Sequence, residues 1–467
     1  MTESELRQLI LPLAEVIMLC VLITGIFQYV IYLLQTVFGF MELRRRRALR
    51  RNLHRWERRD PMLPPVSIIV PAFNEGALIA DAVASFLAQD YGAFEIIVVD
   101  DGSSDDTFQV LRDAYDLVEI EKATDSEIPH APIESVHVSR DVPNLTVVRK
   151  VNGGRADAMN AGLAVAHAPL FCAVDADSVL EPDALHRCAQ PFLEDPGRVI
   201  GVGGGIRVSN GTFIRDGRIF GIRLPRRLLP LIQTLEYFRS FLMARLSWSR
   251  FNVVLVVSGA FGVFSRRAVR AAGGYTANSA GEDMDLVFKL HRYMRKQGHD
   301  YEITYLAEPT CWTEVPDTLT ELASQRIRWQ RGALEVFAAN VGMLLRPRYA
   351  RVAWFGLLHL FFMDVISPVV EVLGYILIPV LLIMGMVNEP FALALVAVVF
   401  GYGYFISMLA IVMEEIEMSR VPSTRSLVAL AVVALIENLG YRQINNVFRV
   451  IGTAKYLMGV RGWSNSG

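Results

Sequence analysis

The chain has 467 residues, 52% of them hydrophobic and 20% charged, with a mean hydropathy of +0.34. That length and apolar content exclude a single small soluble domain and call for a globular part plus membrane segments. The 46 basic and 48 acidic residues nearly cancel, and four scattered cysteines without a C-x-x-C pair exclude a disulfide framework or cysteine-zinc site, which suits a cytosolic body.

Residues 9–40, LILPLAEVIMLCVLITGIFQYVIYLLQTVFGF, carry one acid, Glu15, and no base. A spanning helix needs roughly 20 apolar residues. No small-residue cleavage site follows, so 1–41 is read as a retained anchor. The arginine-dense block 42–61 follows it (MELRRRRALRRNLHRWERR covers 41–59). Such a block can bind nucleic acid, but directly after an apolar run it marks a cytoplasmic helix end. The expectation is an outside N-terminus, residue 45 onward in the cytoplasm, and no nucleic-acid partner.

From residue 62 to about 222 the β-branched runs VSIIVPAF, FEIIVVDDGSSDD, LTVVRK and LFCAVDADS alternate with helix-like stretches. EGALIADAVASFLAQ, TFQVLRDAYD and GRADAMNAGLAVAH supply the helices. This rhythm predicts an open α/β sheet of mostly parallel strands. Residues 119–142 break it, as a hairpin or surface insertion without an assigned role. In 224–256 arginines interrupt a helical apolar pattern, which suits either interfacial helices or a buried amphipathic helix. With 318–350, also read as interfacial, these complete a domain over 62–350.

Residues 351–450 are again mostly apolar. The run 352–387 reads as an interfacial piece to about Pro368 and then a span, and 390–413 as a second span. Glu437, Arg442 and Arg449 leave 426–450 ambiguous, so the number of spans and the side of the C-terminus stay open. Residues 451–467 are a tail.

Several strand ends carry acids. LFCAV runs into Asp175 and Asp177, two residues apart, and ligands of open α/β sheets bind at such ends. Two oxygen donors there suit Mg2+ or Mn2+; the plain alternative is a solvated turn with capping acids. VVDDGSSDD repeats the arrangement with Asp100 and Asp101, and VPAFNE places Pro71 and Glu75 at a third strand end. In KVNGGRADAMNAG, Lys150 and Arg155 flank a glycine pair that opens a helix, where backbone N–H groups can hold a diphosphate. SAGEDMDLVFKLHR starts an amphipathic helix with Glu282 and Asp283, which by themselves only suit the helix dipole. SQRIRWQRGALE sets Gln325, Arg328 and Trp329 on one helix.

The ordered set DDGS, DAD, GED and QRIRW, over about residues 66–335 with membrane flanks, resembles the membrane-integrated processive family-2 glycosyltransferases. That group holds cellulose synthases, hyaluronan synthases and bacterial poly-N-acetylglucosamine synthases. The resemblance implies a GT-A-like fold and a UDP-sugar donor, with N-acetylglucosamine favoured among sugars. It implies that Asp100 and Asp101 meet the uridine, with Pro71 and Glu75 shaping that pocket. Lys150 and Arg155 then approach the diphosphate, and Asp177 holds the metal with Asp175 in the nucleotide or metal shell. Asp283 is the implied base of an inverting displacement, and Arg328 steadies the leaving diphosphate. Trp329 stacks on the acceptor sugar, with Gln325, Glu282 and Gly259 of SGAFGVF on the acceptor side.

It further implies a multi-pass protein of the cell's inner (cytoplasmic) membrane with a cytoplasmic catalytic domain and a growing polysaccharide as acceptor. Asp364 and Glu371 either line an exit path or pack between helices. Few spans point to an export partner or homo-oligomer. GVRGW at 459–463 resembles a short gating segment of hyaluronan synthases, displaced to the tail. Two alternatives stand beside this reading. One is a non-processive enzyme loading one sugar onto a polyprenyl phosphate or glycolipid. The other is a non-enzymatic membrane transporter or receptor with a nucleotide-sensing domain.

Overall fold

A computed structural model describes residues 3–53, 62–121, 127–215, 217–385, 389–418 and 423–459. Most of the GVRGW segment lies outside these. The strands are β1 (Val66–Ala72), β2 (Phe94–Asp100), β3 (Leu117–Ile120), β4 (Ile133–Ser139), β5 (Leu145–Lys150) and β6 (Leu170–Val174). They continue with β7 (Val179–Leu180), β8 (Val199–Val208), β9 (Phe213–Arg215), β10 (Arg218–Gly221), β11 (Phe261–Ser265) and β12 (Glu302–Thr313). Ten of them form one sheet in the order β3-β4-β5-β2-β1-β6-β11-β8-β12-β7, and β9 and β10 form a separate ribbon.

The sheet is mixed but mostly parallel: its strands share one direction except β4, β7 and β11. Helices Ile79–Leu87, Thr107–Tyr115 and Arg155–Val165 follow β1, β2 and β5, as the alternating pattern predicts. Alternation sorts each central strand between two cores. Ile68, Val70, Ile96 and Val98 enter one, and Ile69, Ile97 and Val99 enter the other. The stretch that breaks the rhythm is a hairpin: β3 and β4 pair antiparallel and extend the sheet edge beside β5.

Among the described residues, four helices are long and apolar enough to cross a membrane: Met18–Arg47, Pro347–Ile383, Val396–Ile416 and Thr424–Leu457. The first belongs to Glu3–Leu53, which runs on through the first half of the basic block. Within it Glu42 is fully buried and neutralised by Arg45 at 2.7 Å and Arg46 at 2.8 Å, so this end is packed rather than a free linker. The second shows no break at Pro368. A π-helical stretch, Leu360–Ile366, precedes that proline; the wider turn accommodates a residue that has no N–H to give to the preceding turn.

Residues 228–250 form helix Leu228–Phe238, a π-helical stretch Arg239–Arg245 and helix Leu246–Arg250. Protein covers them on both sides, with the sheet on one and apolar helices on the other. Leu235, Leu242 and Leu246 are accordingly inaccessible to solvent. Buried ion pairs fix this junction. Arg207 of β8 meets Glu414 of helix Glu389–Met418 at 2.7 Å, and Arg326 meets Glu236 at 2.8 Å. Removing one partner of such a pair strands a buried charge, which costs about 3–5 kcal/mol. Asp364 pairs with Arg449, and Glu371 accepts hydrogen bonds from Gln28, Ser367, Tyr375 and Asn446. Both acids therefore pack between helices.

Candidate active site

Parallel register brings the strand ends to one edge. Ala72 lies opposite Asp100, Asp100 opposite Arg149, and Ile69 opposite Ala173. Half-buried Pro71 stands on this edge, and just beyond it Asn74 Oδ1 accepts the Ser104 N–H at 2.8 Å. The Glu75 N–H donates to Thr107 Oγ1 at 2.8 Å, leaving its carboxyl group facing other acids. Burial pushes that carboxyl above its ordinary range, with Asp175 and Asp105 adding to the effect.

Asp100 and Asp101 are 1% and 3% exposed, so they form the floor of the edge and do not project from it. Asp100 Oδ1 accepts the Ser103 N–H at 2.9 Å and closes the Gly-Ser turn. Asp101 accepts the N–H groups of Gly153 at 3.0 Å and Gly154 at 2.7 Å, and pairs with Lys150. Burial holds the Asp101 carboxyl above its ordinary range despite Lys150. These contacts bear on two expectations. The glycine-pair N–H groups are already spent on Asp101. Lys150 has no exposed surface, since Asp157 at 2.7 Å and the Val151 carbonyl at 2.6 Å enclose it with Asp101. Its charge is answered by these groups, which hold the loop.

Arg155 opens helix Arg155–Val165 and ties three remote segments together. Its Nε donates to Asp175 Oδ1 at 2.8 Å, Nη1 to Glu282 Oε1 at 3.0 Å, and Nη2 to the Gly259 carbonyl at 2.7 Å. A side chain on Gly259 would strike this guanidinium, because a Cβ there would sit 2.9 Å from Nη2. Burial opposes the Arg155 charge, but Asp175 and Glu282 outweigh it and raise its pKa. The resemblance assigned Arg155 to the diphosphate. In the structure it ties Asp175, Gly259 and Glu282 together at the strand ends.

Asp175 thus has one oxygen engaged by Arg155. Asp177 accepts the Ser178 hydroxyl at 3.2 Å, and its carboxyl is pushed up to about 7 by burial, then by Asp175 and Glu75. Carboxylates crowded in this way favour a cation among them. No group of three or more His, Cys, Asp or Glu forms a closed cage among the described residues. The open pair Asp175 and Asp177 still fits a Mg2+-type ion, which takes one or two carboxylates and completes its shell with phosphate and water.

Asp283 stands in the first turn of helix Glu282–Gln297, where N–H groups converge. Its two oxygens accept the Met284 N–H at 2.8 Å and the Gly259 N–H at 3.2 Å. Burial pushes its carboxyl above the usual range, and Glu282 beside it adds to this. Helix Leu319–Asn340 delivers the QRIRW residues. Gln325 is half-buried with Oε1 unpartnered, and Arg326 lies 4.5 Å above the Trp329 ring, which is 42% exposed. Arg328 is exposed.

Two features escape sequence reasoning. Gly332 packs backbone to backbone against Gly281, and Glu335 accepts the Ala280 N–H at 2.9 Å, seating this helix against the loop just before Glu282 and Asp283. A glycine inside a helical run is the signal that could have found the first. Arg245 ends the π-helical stretch, its guanidinium 3.7 Å above the Phe241 ring and Nη1 buried without a partner among the described residues. Burial lowers its pKa, against the pull of Tyr305 and Asp283.

Residues 64–332 match the family model described as glycosyltransferase like family 2. The chain is 28% identical over 283 residues to a poly-beta-1,6-N-acetyl-D-glucosamine synthase of Staphylococcus epidermidis, covering 61% of this chain and 58% of that protein. The enzyme of the same name from Staphylococcus aureus (strain COL) is 28% identical over 274 residues, 59% of this chain and 56% of the relative. The chain thus spans less than two thirds of these relatives. Among solved structures, the mannosyltransferase PcManGT of Pyrobaculum calidifontis, in complex with GDP-Man and Mn2+, superposes with a TM-score of 0.50 at 16% identity. That match covers 92% of this chain and 99% of the other, and it supports the GT-A-like fold alone. The family model covers more than half of the chain, which belongs to the glycosyltransferase-like family 2.

Proposed function

We propose that the chain transfers a sugar from UDP to the end of a growing β-linked polysaccharide, with inversion and processively. The product named for its relatives, poly-β-1,6-N-acetylglucosamine, supports UDP-N-acetylglucosamine as donor and a polymer as acceptor. The membrane-length helices packed against the catalytic sheet support a cytoplasmic membrane enzyme that passes its product outward. One observation carries the reading. The Arg155 guanidinium joins the strand-end acid Asp175, the Gly259 carbonyl and Glu282, and the Gly259 N–H reaches Asp283.

In this reading Asp283 takes the proton from the acceptor hydroxyl as its oxygen attacks the anomeric carbon and UDP departs. A positioned base contributes roughly 10²- to 10⁴-fold. Both oxygens of Asp283 are steered by N–H donors, so the carboxylate enters the reaction already oriented. Its raised pKa makes it a stronger base than an exposed aspartate. Asp100 and Asp101 shape the floor for the nucleotide, beside Pro71 and Glu75, and Lys150 braces that floor from below. Asp177, with Asp175, holds a divalent cation, Mg2+ or Mn2+, which when bound supplies positive charge to the diphosphate. Arg328, which is exposed, adds charge for the leaving group from the acceptor side. Trp329 presents an aromatic face to the terminal sugar, and Gln325 offers its unpartnered oxygen to a hydroxyl.

The test is incubation of the purified full chain in lipid with a panel of UDP-sugars, with and without chelator, measuring released UDP and product size. Cation-dependent polymer from UDP-N-acetylglucosamine is the expected result. A single lipid-linked sugar would replace the processive reading with the non-processive one. Absence of transfer from every donor would overturn both.

A further inference from the structure

A cavity opens away from the strand-end acids. It measures about 650 Å³ and lies where the anchor helix, the 246–250 helix, the end of helix Glu282–Gln297 and the start of helix Pro347–Ile383 meet. Arg45, Arg198, Arg250, Arg295 and Arg351 line it together with His299. Against these five arginines stand three carboxylates, Glu42, Asp300 and Glu302.

The carboxylates are unevenly spent. Glu42 is held by Arg45 at 2.7 Å and by Arg46 at 2.8 Å, with Arg250 farther off at 3.5 Å. Asp300 and Glu302 both face Arg198, each at 3.0 Å. Among the described residues that leaves Arg295 and Arg351 without a carboxylate: Arg295 donates to the Tyr301 hydroxyl at 3.3 Å and lies 5.6 Å above that ring, and Arg351 is exposed with no ion pair. A concave surface with excess positive charge concentrates anions, and guanidinium forks match phosphate oxygens two at a time. The position adds to this. Arg45 belongs to one membrane-length helix and Arg351 to another, and basic pockets between such helices bind phosphate headgroups.

We propose that this cavity is a binding site for a phosphate-bearing anion, gripped chiefly by Arg295 and Arg351 with Arg250 beside them. A lipid headgroup and a soluble phosphate offer the same chemistry, and the location favours the headgroup. The site is independent of the glycosyltransferase reading, because none of its residues belongs to the strand-end pocket.

The experiment uses the full chain and reads binding, not activity. In the first arm, wild type and the R295Q/R351Q variant are placed in phosphatidylcholine nanodiscs with and without phosphatidylglycerol, and co-purified phosphatidylglycerol is counted by native mass spectrometry. In the second, inorganic pyrophosphate is titrated against both proteins in detergent, with thermal stability as readout. An R295K/R351K variant, which keeps the charge but loses the fork, controls for folding. A several-fold loss of bound phosphatidylglycerol in R295Q/R351Q identifies a lipid headgroup site. A pyrophosphate-induced rise in melting temperature that is seen in wild type and lost in R295Q/R351Q identifies a soluble-phosphate site. Equal lipid retention together with equal pyrophosphate response in wild type and R295Q/R351Q overturns the proposal.

Discussion

Gly332 and Gly281 touch through their backbones: a Cβ at Gly332 would lie 2.7 Å from both Cα and N of Gly281. This contact seats helix Leu319–Asn340, with Trp329, against the loop that leads into the Asp283 helix. Gly332→Ala is a sharp test because alanine is preferred in a helix by about 1 kcal/mol. The clash should reverse that gain, lowering the melting temperature and reducing UDP release. A rise in melting temperature with unchanged turnover would mean that the helix does not need this approach.

Asp283→Asn keeps the side chain's shape and an oxygen for the Gly259 N–H, but removes the base. Transfer should fall by about 10²- to 10⁴-fold, while donor affinity, measured by calorimetry, stays unchanged. Intact turnover in this variant would remove Asp283 from the chemistry.

The acid limb of the pH–rate profile should lie above the ordinary aspartate value of about 4. Burial, and then Glu282, raise the Asp283 pKa, and the base works only when ionised, so the rate drops as pH falls through that raised value. Glu282→Gln removes the neighbouring negative charge and should move the limb to lower pH. A limb that stays in place or moves up would show that Glu282 does not act on Asp283.

Trp329 is 42% exposed, so Trp329→Ala should change stability by no more than about 0.5 kcal/mol. Product length should shorten while hydrolysis of donor by water continues. If hydrolysis falls to the same degree, the indole does not serve the acceptor.

Among the described residues Arg245 keeps a buried nitrogen without a partner, an expensive arrangement for a cation. Arg245→Met should therefore hold or raise the melting temperature and yet slow transfer at least tenfold, a cost of about 1.4 kcal/mol in the barrier. Turnover equal to wild type would make this arginine a packing residue only.

Much of the fold was legible from near neighbours. Alternating apolar residues in VSIIV and FEIIVVD place Ile68 and Ile69 in opposite cores, and that pattern depends on little beyond the strand itself. Likewise, an apolar run that ends in two acids puts Asp175 and Asp177 at a strand end whatever surrounds it. The QRIRW helix was legible as a helix, but not its seat on Gly281, because that contact joins residues far apart in the chain.

By itself, then, the sequence determined the parallel-rich sheet, the membrane-length helices and the set of acids at strand ends. All of these follow from periodicity and side-chain chemistry within about ten residues. Only the tertiary structure decided which charges remain free. Lys150 and Arg155 look alike as cations beside a glycine pair, yet one is sealed by Asp101 and Asp157 and the other reaches Glu282, 127 residues away. A buried charge must find its counter-charge wherever the fold brings one within hydrogen-bonding distance, and that partner is set by packing between segments, not by the order of residues along the chain.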